Sequence, residues 1–134
     1  MPEKATLERA RADLRAGKSP STAAGEFVRE EIEHIRHGKH GARSPEQAIA
    51  IGLSKARRAG VPLKPPKKGQ AKQSTRQAAE RDYGTGQGRR KARKTSSKRS
   101  AAMRKRLKRE PKSSVSRAAL SRHAKRVAGK RKRA

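Results

Sequence analysis

Ser44–Gly60, S-P-E-Q-A-I-A-I-G-L-S-K-A-R-R-A-G, decides how this chain folds, because both ends of a helix are written in it. Ser44 is placed as N-cap, its hydroxyl able to accept from a free backbone N–H of the first turn. Pro45 suits the first helical position, where a missing N–H is no loss. Gln47, three residues after Ser44, completes a capping box. Arg57 and Arg58 fall in the last turn, where the helix dipole favours cations. Gly60 is suited to the left-handed position beyond the end, and Pro62 blocks continuation. Ile49, Leu53 and Ala56 form one stripe, and Gly52 lets a neighbour come close. A helix with one apolar stripe needs a partner to cover it.

That partner lies just upstream. A helix starting at Ser19 or Ser21 and running to His37, with Gly38 beyond its end, carries Ala24, Phe27, Val28, Ile32 and Ile35 on one stripe. The short Gly38–Arg43 link then suits an antiparallel helical hairpin. A first helix over 5–16 places Leu7, Ala10 and Leu14 on one side, with Arg9–Asp13 as an i,i+4 pair; Glu30–His34 is another in the second helix. The predicted core is Phe27, Val28, Ile32 and Ile35 against Ile49, Leu53 and Ala56, joined by Leu7 and Leu14. Such a core is small, so a marginal fold helped by self-association or ligand is expected.

Charge divides the sequence. Residues 1–63 hold 12 Lys/Arg and 8 Asp/Glu, a balance of +4, while residues 64–134 hold 27 against 3, or +24. Hydrophobic residues are only 30% and charged residues 37%, with one Phe, one Tyr and no Trp, so the second half has little with which to build a core. The resulting expectation is an all-α protein: a small helical hairpin or three-helix module over 1–62, a Pro/Lys linker over 63–73, and a basic, mostly disordered tail over 74–134 with helix-prone segments. Beyond the prolines, Gln70–Asp82 carries a second capping box at Ser74 and Gln77, Gly84–Gly88 reads as a flexible break, and Ser97–Lys108 and Ser114–Ala128 are helix-compatible.

A polycation of this density calls for a polyanion, and nucleic acid is the first candidate. The residues expected to contact phosphates are Arg89, Arg90, Lys91, Arg93, Lys94, Arg104, Lys105, Arg106, Lys108, Arg109, Lys130, Arg131, Lys132 and Arg133. Scarce aromatic side chains argue against stacking on single-strand bases and favour tracking of a duplex backbone, with double-stranded DNA preferred and an RNA- or ribosome-associated role as the alternative. A helix-turn-helix reading, with Lys55, Arg57 and Arg58 facing a groove, lacks base-reading Asn or Gln. The helical module could set oligomeric state as a homo-oligomer or recruit a protein. A module of that last kind, with a merely solubilising tail, is the alternative from another class.

Other chemistry finds little footing. Cysteine is absent, which excludes disulfides and thiolate metal sites. His34, His37 and His40 form H-x-x-H-x-x-H near Glu30 and Glu33, but Gly38 ends the helix before His40, so they read as surface histidines and no metal is expected. No strand precedes the glycine triplet Gly84, Gly86, Gly88, so it is no phosphate loop. Neither a nucleophile–base pair nor a paired-carboxylate cleft is visible; no enzyme and no cofactor are expected. The N-terminus lacks the apolar core of a secretory signal, and no apolar run approaches a membrane span. The expected location is the cytoplasm, at the nucleoid.

Glu26–Gly60 resembles a family of small Lys/Arg-rich bacterial proteins of unknown function, sharing the H-G-K/E link and the R-x-x-x-Q-A-I-A-I-A/G-L-S-x-A-R-R-A-G helix. The resemblance implies a bacterial source and brings no activity or site residues with it. The tail is similar in composition to those of histone H1-like nucleoid proteins.

Overall fold

The computed structural model describes residues 2–91, 94 and 96–133, the last three as backbone only. Among them are six α-helices and no strand: α1 Lys4–Arg15, α2 Pro20–Arg36, α3 Pro45–Arg58, α4 Gln73–Gly86, α5 Ser97–Arg109 and α6 Arg117–Arg133. A 3-10 turn, Ser113–Val115, precedes α6. The expected all-α class holds. No described helix is long and apolar enough to cross a membrane.

The first three helices begin and end within a residue or two of expectation because local chemistry fixes their ends. Gly38 (φ 83°) follows α2 and Gly60 (φ 103°) follows α3, both left-handed. At the start of α3 the Gln47 N–H donates to Ser44 Oγ (3.2 Å) and the Arg43 N–H donates to Gln47 Oε1 (2.6 Å). The capping box therefore forms, with its return bond on Arg43 rather than Ser44.

The chain divides into two compact units, Met1–Glu30 with Ala50–Lys94, and Glu31–Ile49 with Thr95–Ala134. In the first unit Phe27 is fully buried among Ala10, Ala23, Ala24, Ala56 and Val61, flanked by Leu7, Leu14, Leu53 and Leu63. Gly52 of α3 meets the backbone of Val28; a Cβ there would lie 2.6 Å from Val28 Cα. The start of α1 is held by a distant residue: Glu30 Oε1 accepts from the Glu3 N–H (2.6 Å) and the Thr6 hydroxyl (3.3 Å), supplying a cap that Glu3 itself does not. Arg9 pairs with Glu26 (3.0 Å) and Asp13 with Lys18 (3.4 Å), so the charges of α1 look outward from the expected i,i+4 pairing.

α4 adds to this unit by burying Ala79 and by accepting the Ser54 hydroxyl on Asp82 (2.7 Å). It starts from Lys72 without a side-chain cap, not from Ser74, and it continues through Gly84 to Gly86. The flexible break expected at Gly84–Gly88 is thus in part a helix end. Position 86 requires glycine for a packing reason: a Cβ there would overlap the Arg57 carbonyl.

The second unit has its own core of Ile35, Ala42, Ala48 and Val115, with Ile32 against it. Val115 comes from the basic half of the sequence. Its carbonyl accepts from Arg36 Nε (3.3 Å) and Nη2 (3.2 Å). The Gly41 N–H donates to the Leu107 carbonyl (2.8 Å) and the Ala42 N–H to that of Pro111 (3.1 Å). Ser96 caps α5 through the Arg99 N–H (3.2 Å), and Ser116 accepts from the Ala119 N–H at the start of α6 (3.2 Å).

Mostly disordered is therefore not how the described part of 74–134 stands in the structure: it forms α4, α5 and α6. The apolar surface needed is small and comes from residues that composition hides. Ala79, Val115 and Ala119 are the buried side chains of that half. Folding also redistributes charge. The first unit holds 20 basic and 7 acidic residues, a balance of +13, and the second 19 and 4, or +15. The near-neutral front half and cationic back half become two units of similar positive charge.

Candidate nucleic-acid interface

Cations need exposure, spacing and an absence of competing carboxylates to meet phosphates. α5 meets all three conditions. Its sequence, S-K-R-S-A-A-M-R-K-R-L-K-R, has no acid, and none of its residues is buried. Arg104, Lys105, Arg106, Lys108 and Arg109 are all exposed, as expected, and Lys98 and Arg99 extend the same helix. Ser100 and Leu107 are the only half-buried positions, so the cations occupy most of its circumference. A backbone can be tracked by such a helix without base contacts.

The remaining expected contacts divide between the units. Arg89, Arg90, Lys91 and Lys94 belong to the first unit and are exposed; Arg89 sits over the Tyr83 ring, 6.0 Å from its centroid. Arg93 lies outside the described residues. Lys130 is exposed on α6, and Arg131, Lys132 and Arg133 complete that helix as backbone.

Sequence reasoning missed a second cationic feature. In the second unit a cavity of about 460 Å3 is lined by Arg43, Ser44, Glu46, Ser116, Arg122 and Arg126 among others. The capped starts of α3 and α6 both border it, so two sets of N-terminal amides adjoin three guanidinium-bearing side chains. Glu46 shares this place: its Oε1 lies 3.0 Å from His123 Nδ1 and 3.4 Å from Arg126 Nη2. A backbone N–H bond at Glu46 itself holds its carboxyl below its ordinary value, burial opposes this, and His123 and then Arg126 add smaller lowering effects. The signal for this cavity was the pair Ser44 and Ser116, each a cap three residues before a bonded N–H, but sequence cannot bring the two caps to one place.

Arg57, grouped in sequence with Lys55 and Arg58 on an exposed face, turns inward instead. It is 9% exposed, and its Nε donates to the Leu63 carbonyl (3.2 Å). Burial lowers its pKa and nearby Asp82 raises it. That removes one of the three cations from a groove-reading face.

One group of metal-capable donors sits in the second unit, in Glu31, His34 and His40. Glu31 is fully buried, and His34 and His40 are half-buried, while His37 is exposed. The surface-histidine expectation therefore describes His37 and not its two neighbours. Comparison with known proteins finds no protein-family model, no curated protein and no solved structure that matches this chain.

Proposed function

We propose that the protein binds nucleic acid without sequence specificity, double-stranded DNA first, and acts at the nucleoid by neutralising and bridging phosphates. The observation that carries this reading is α5, a thirteen-residue helix with seven exposed cations, no acid and no buried residue. Sharing positive charge between two units, +13 and +15, supports bridging, since each unit can hold its own stretch of backbone. With so little burial, α5 is also the segment whose helicity depends most on counter-charge, so we read the basic half as ordering further when phosphates surround it. We assign any self-association to the helical module.

A mobility-shift titration of the full-length chain across salt tests the reading. If about 8 cations neutralise phosphates, log affinity falls against log salt with a slope of about −7. Replacing Arg104, Lys105, Arg106, Lys108 and Arg109 by Gln should reduce that slope by about 4. A flat salt response, or no binding at low salt, ends the proposal. Competition between duplex DNA and structured RNA of equal length assigns the partner: preference for RNA moves the same cations to an RNA-associated role.

A further inference from the structure

The Gly38 turn that closes α2 does something the spacing H-x-x-H-x-x-H did not suggest. It brings the chain back so that His40 Nε2 lies 3.2 Å from Glu31 Oε2, one and a half turns up the helix. His34, one turn beyond Glu31 on the same face, places Nδ1 3.8 Å from Glu31 Oε1. The donor atoms of Glu31, His34 and His40 all lie within 4.8 Å of one another. Two donors each about 2.0–2.1 Å from a tetrahedral zinc stand about 3.4 Å apart; the 3.2 Å and 3.8 Å separations from the two Glu31 oxygens lie on either side of that value.

The proton arrangement of His40 sharpens the case. Its Nδ1 is 2.9 Å from the Gly41 carbonyl oxygen, which can only accept, so Nδ1 carries the hydrogen. In the neutral ring Nε2 then presents a lone pair to Glu31 Oε2, itself an acceptor. A cation seated between these two acceptor atoms, 3.2 Å apart, would be held by both. A ring N–H on a backbone carbonyl with the other nitrogen free to ligate is the outer support that metal-binding histidines use. The Glu31 side chain is 0% exposed, and the two histidines keep 14% and 17% exposure, which leaves a way in.

We propose that Glu31, His34 and His40 form a binding site for one divalent transition ion, zinc by ligand type, with water in the fourth position. Two imidazoles and one carboxylate are the ligand set of a three-residue zinc centre. The ion ties the turn after α2 to the helix itself and so fixes the link that leads into α3. It is held by the second unit alone and is independent of the phosphate-binding cations.

Titrating the untagged full-length chain with Zn2+ alone, by calorimetry and by competition with a chromophoric chelator, tests this. The expected result is one ion per chain, with His34→Gln and His40→Gln each lowering affinity at least ~10-fold, a loss of the size seen even for outer partners of a metal ligand. His37→Gln, on the exposed position, leaves it unchanged. Imidazole nitrogen resonances of the native chain give a readout independent of variant folding: Zn2+ shifts His34 Nδ1 and His40 Nε2. No saturable binding, binding that survives both substitutions, or shifts confined to His37 and His123 each overturn the proposal.

Discussion

Replacing Gly25 and Gly52 by Ala separates packing from helix propensity. Both glycines lie inside helices, Gly25 in α2 and Gly52 in α3. In each, Ala should contribute about 0.8–1 kcal/mol through propensity alone. Gly25 has nothing within 4 Å of an added Cβ, so Gly25→Ala should stabilise the protein by about that amount. At Gly52 the new carbon would stand 2.6 Å from Val28 Cα and 2.9 Å from both Val28 N and Cγ2. Two of those three atoms are backbone, so a rotamer change cannot relieve the overlap and the helices must separate. Overpacking of this kind costs about 1–3 kcal/mol, and the backbone contact places it toward the upper end. Net, Gly52→Ala should destabilise by about 1–2 kcal/mol, leaving the two variants roughly 2–3 kcal/mol apart. Urea unfolding followed by far-ultraviolet circular dichroism measures both on one scale. If Gly52→Ala proves as stable as Gly25→Ala, the close approach of α3 to α2 at Val28 is wrong.

Ser44→Ala should cost about 1 kcal/mol, since Ser44 Oγ accepts the Gln47 N–H of α3, and Ser44→Asn should restore it in the same urea assay. Ser54→Ala removes the 2.7 Å hydrogen bond to Asp82 that joins α3 to α4; a loss of about 1–2 kcal/mol is expected, with increased amide exchange in α4. Glu46 gives a pH signature. Its folded pKa lies below the ordinary 4.5, so its contribution is fully present above that value and disappears as pH falls through the lower folded value. Glu46→Gln should remove that contribution, seen as a small loss of stability at neutral pH, and flatten the stability–pH curve in the acid window, so that the two chains converge below it. Gly41→Ala, whose Cβ would overlap the Glu110 carbonyl, should disrupt the backbone bonds that Gly41 and Ala42 make to Leu107 and Pro111, seen as loss of amide protection there.

The helices of the first half were legible because their ends are local events. Ser44, Pro45, Gly38 and Gly60 act on the backbone within a turn of themselves, and one sequence suffices to read them. The α5 cations were legible for a similar reason: a helix with no acid and little apolar surface exposes its charges wherever it lies. Everything that failed depended on a distant partner. The Glu30 cap on α1 spans 27 residues, and the Arg36 bonds to the Val115 carbonyl span 79. Val115 stands in a polar tract, K-S-S-V-S-R, yet it closes the second core. His40 seemed cut off from the other histidines by Gly38, and the left-handed turn at that glycine is what returns it to Glu31.

Composition and local pattern by themselves determined the helical class, the first three helix boundaries, and a large net positive charge. Only the tertiary structure decided that each unit draws on both halves of the chain and that charge is shared between them. Helix ends are set by short-range hydrogen bonds, whereas the choice of which few small apolar side chains to bury is made by shape across dozens of residues, where one sequence carries no distance information.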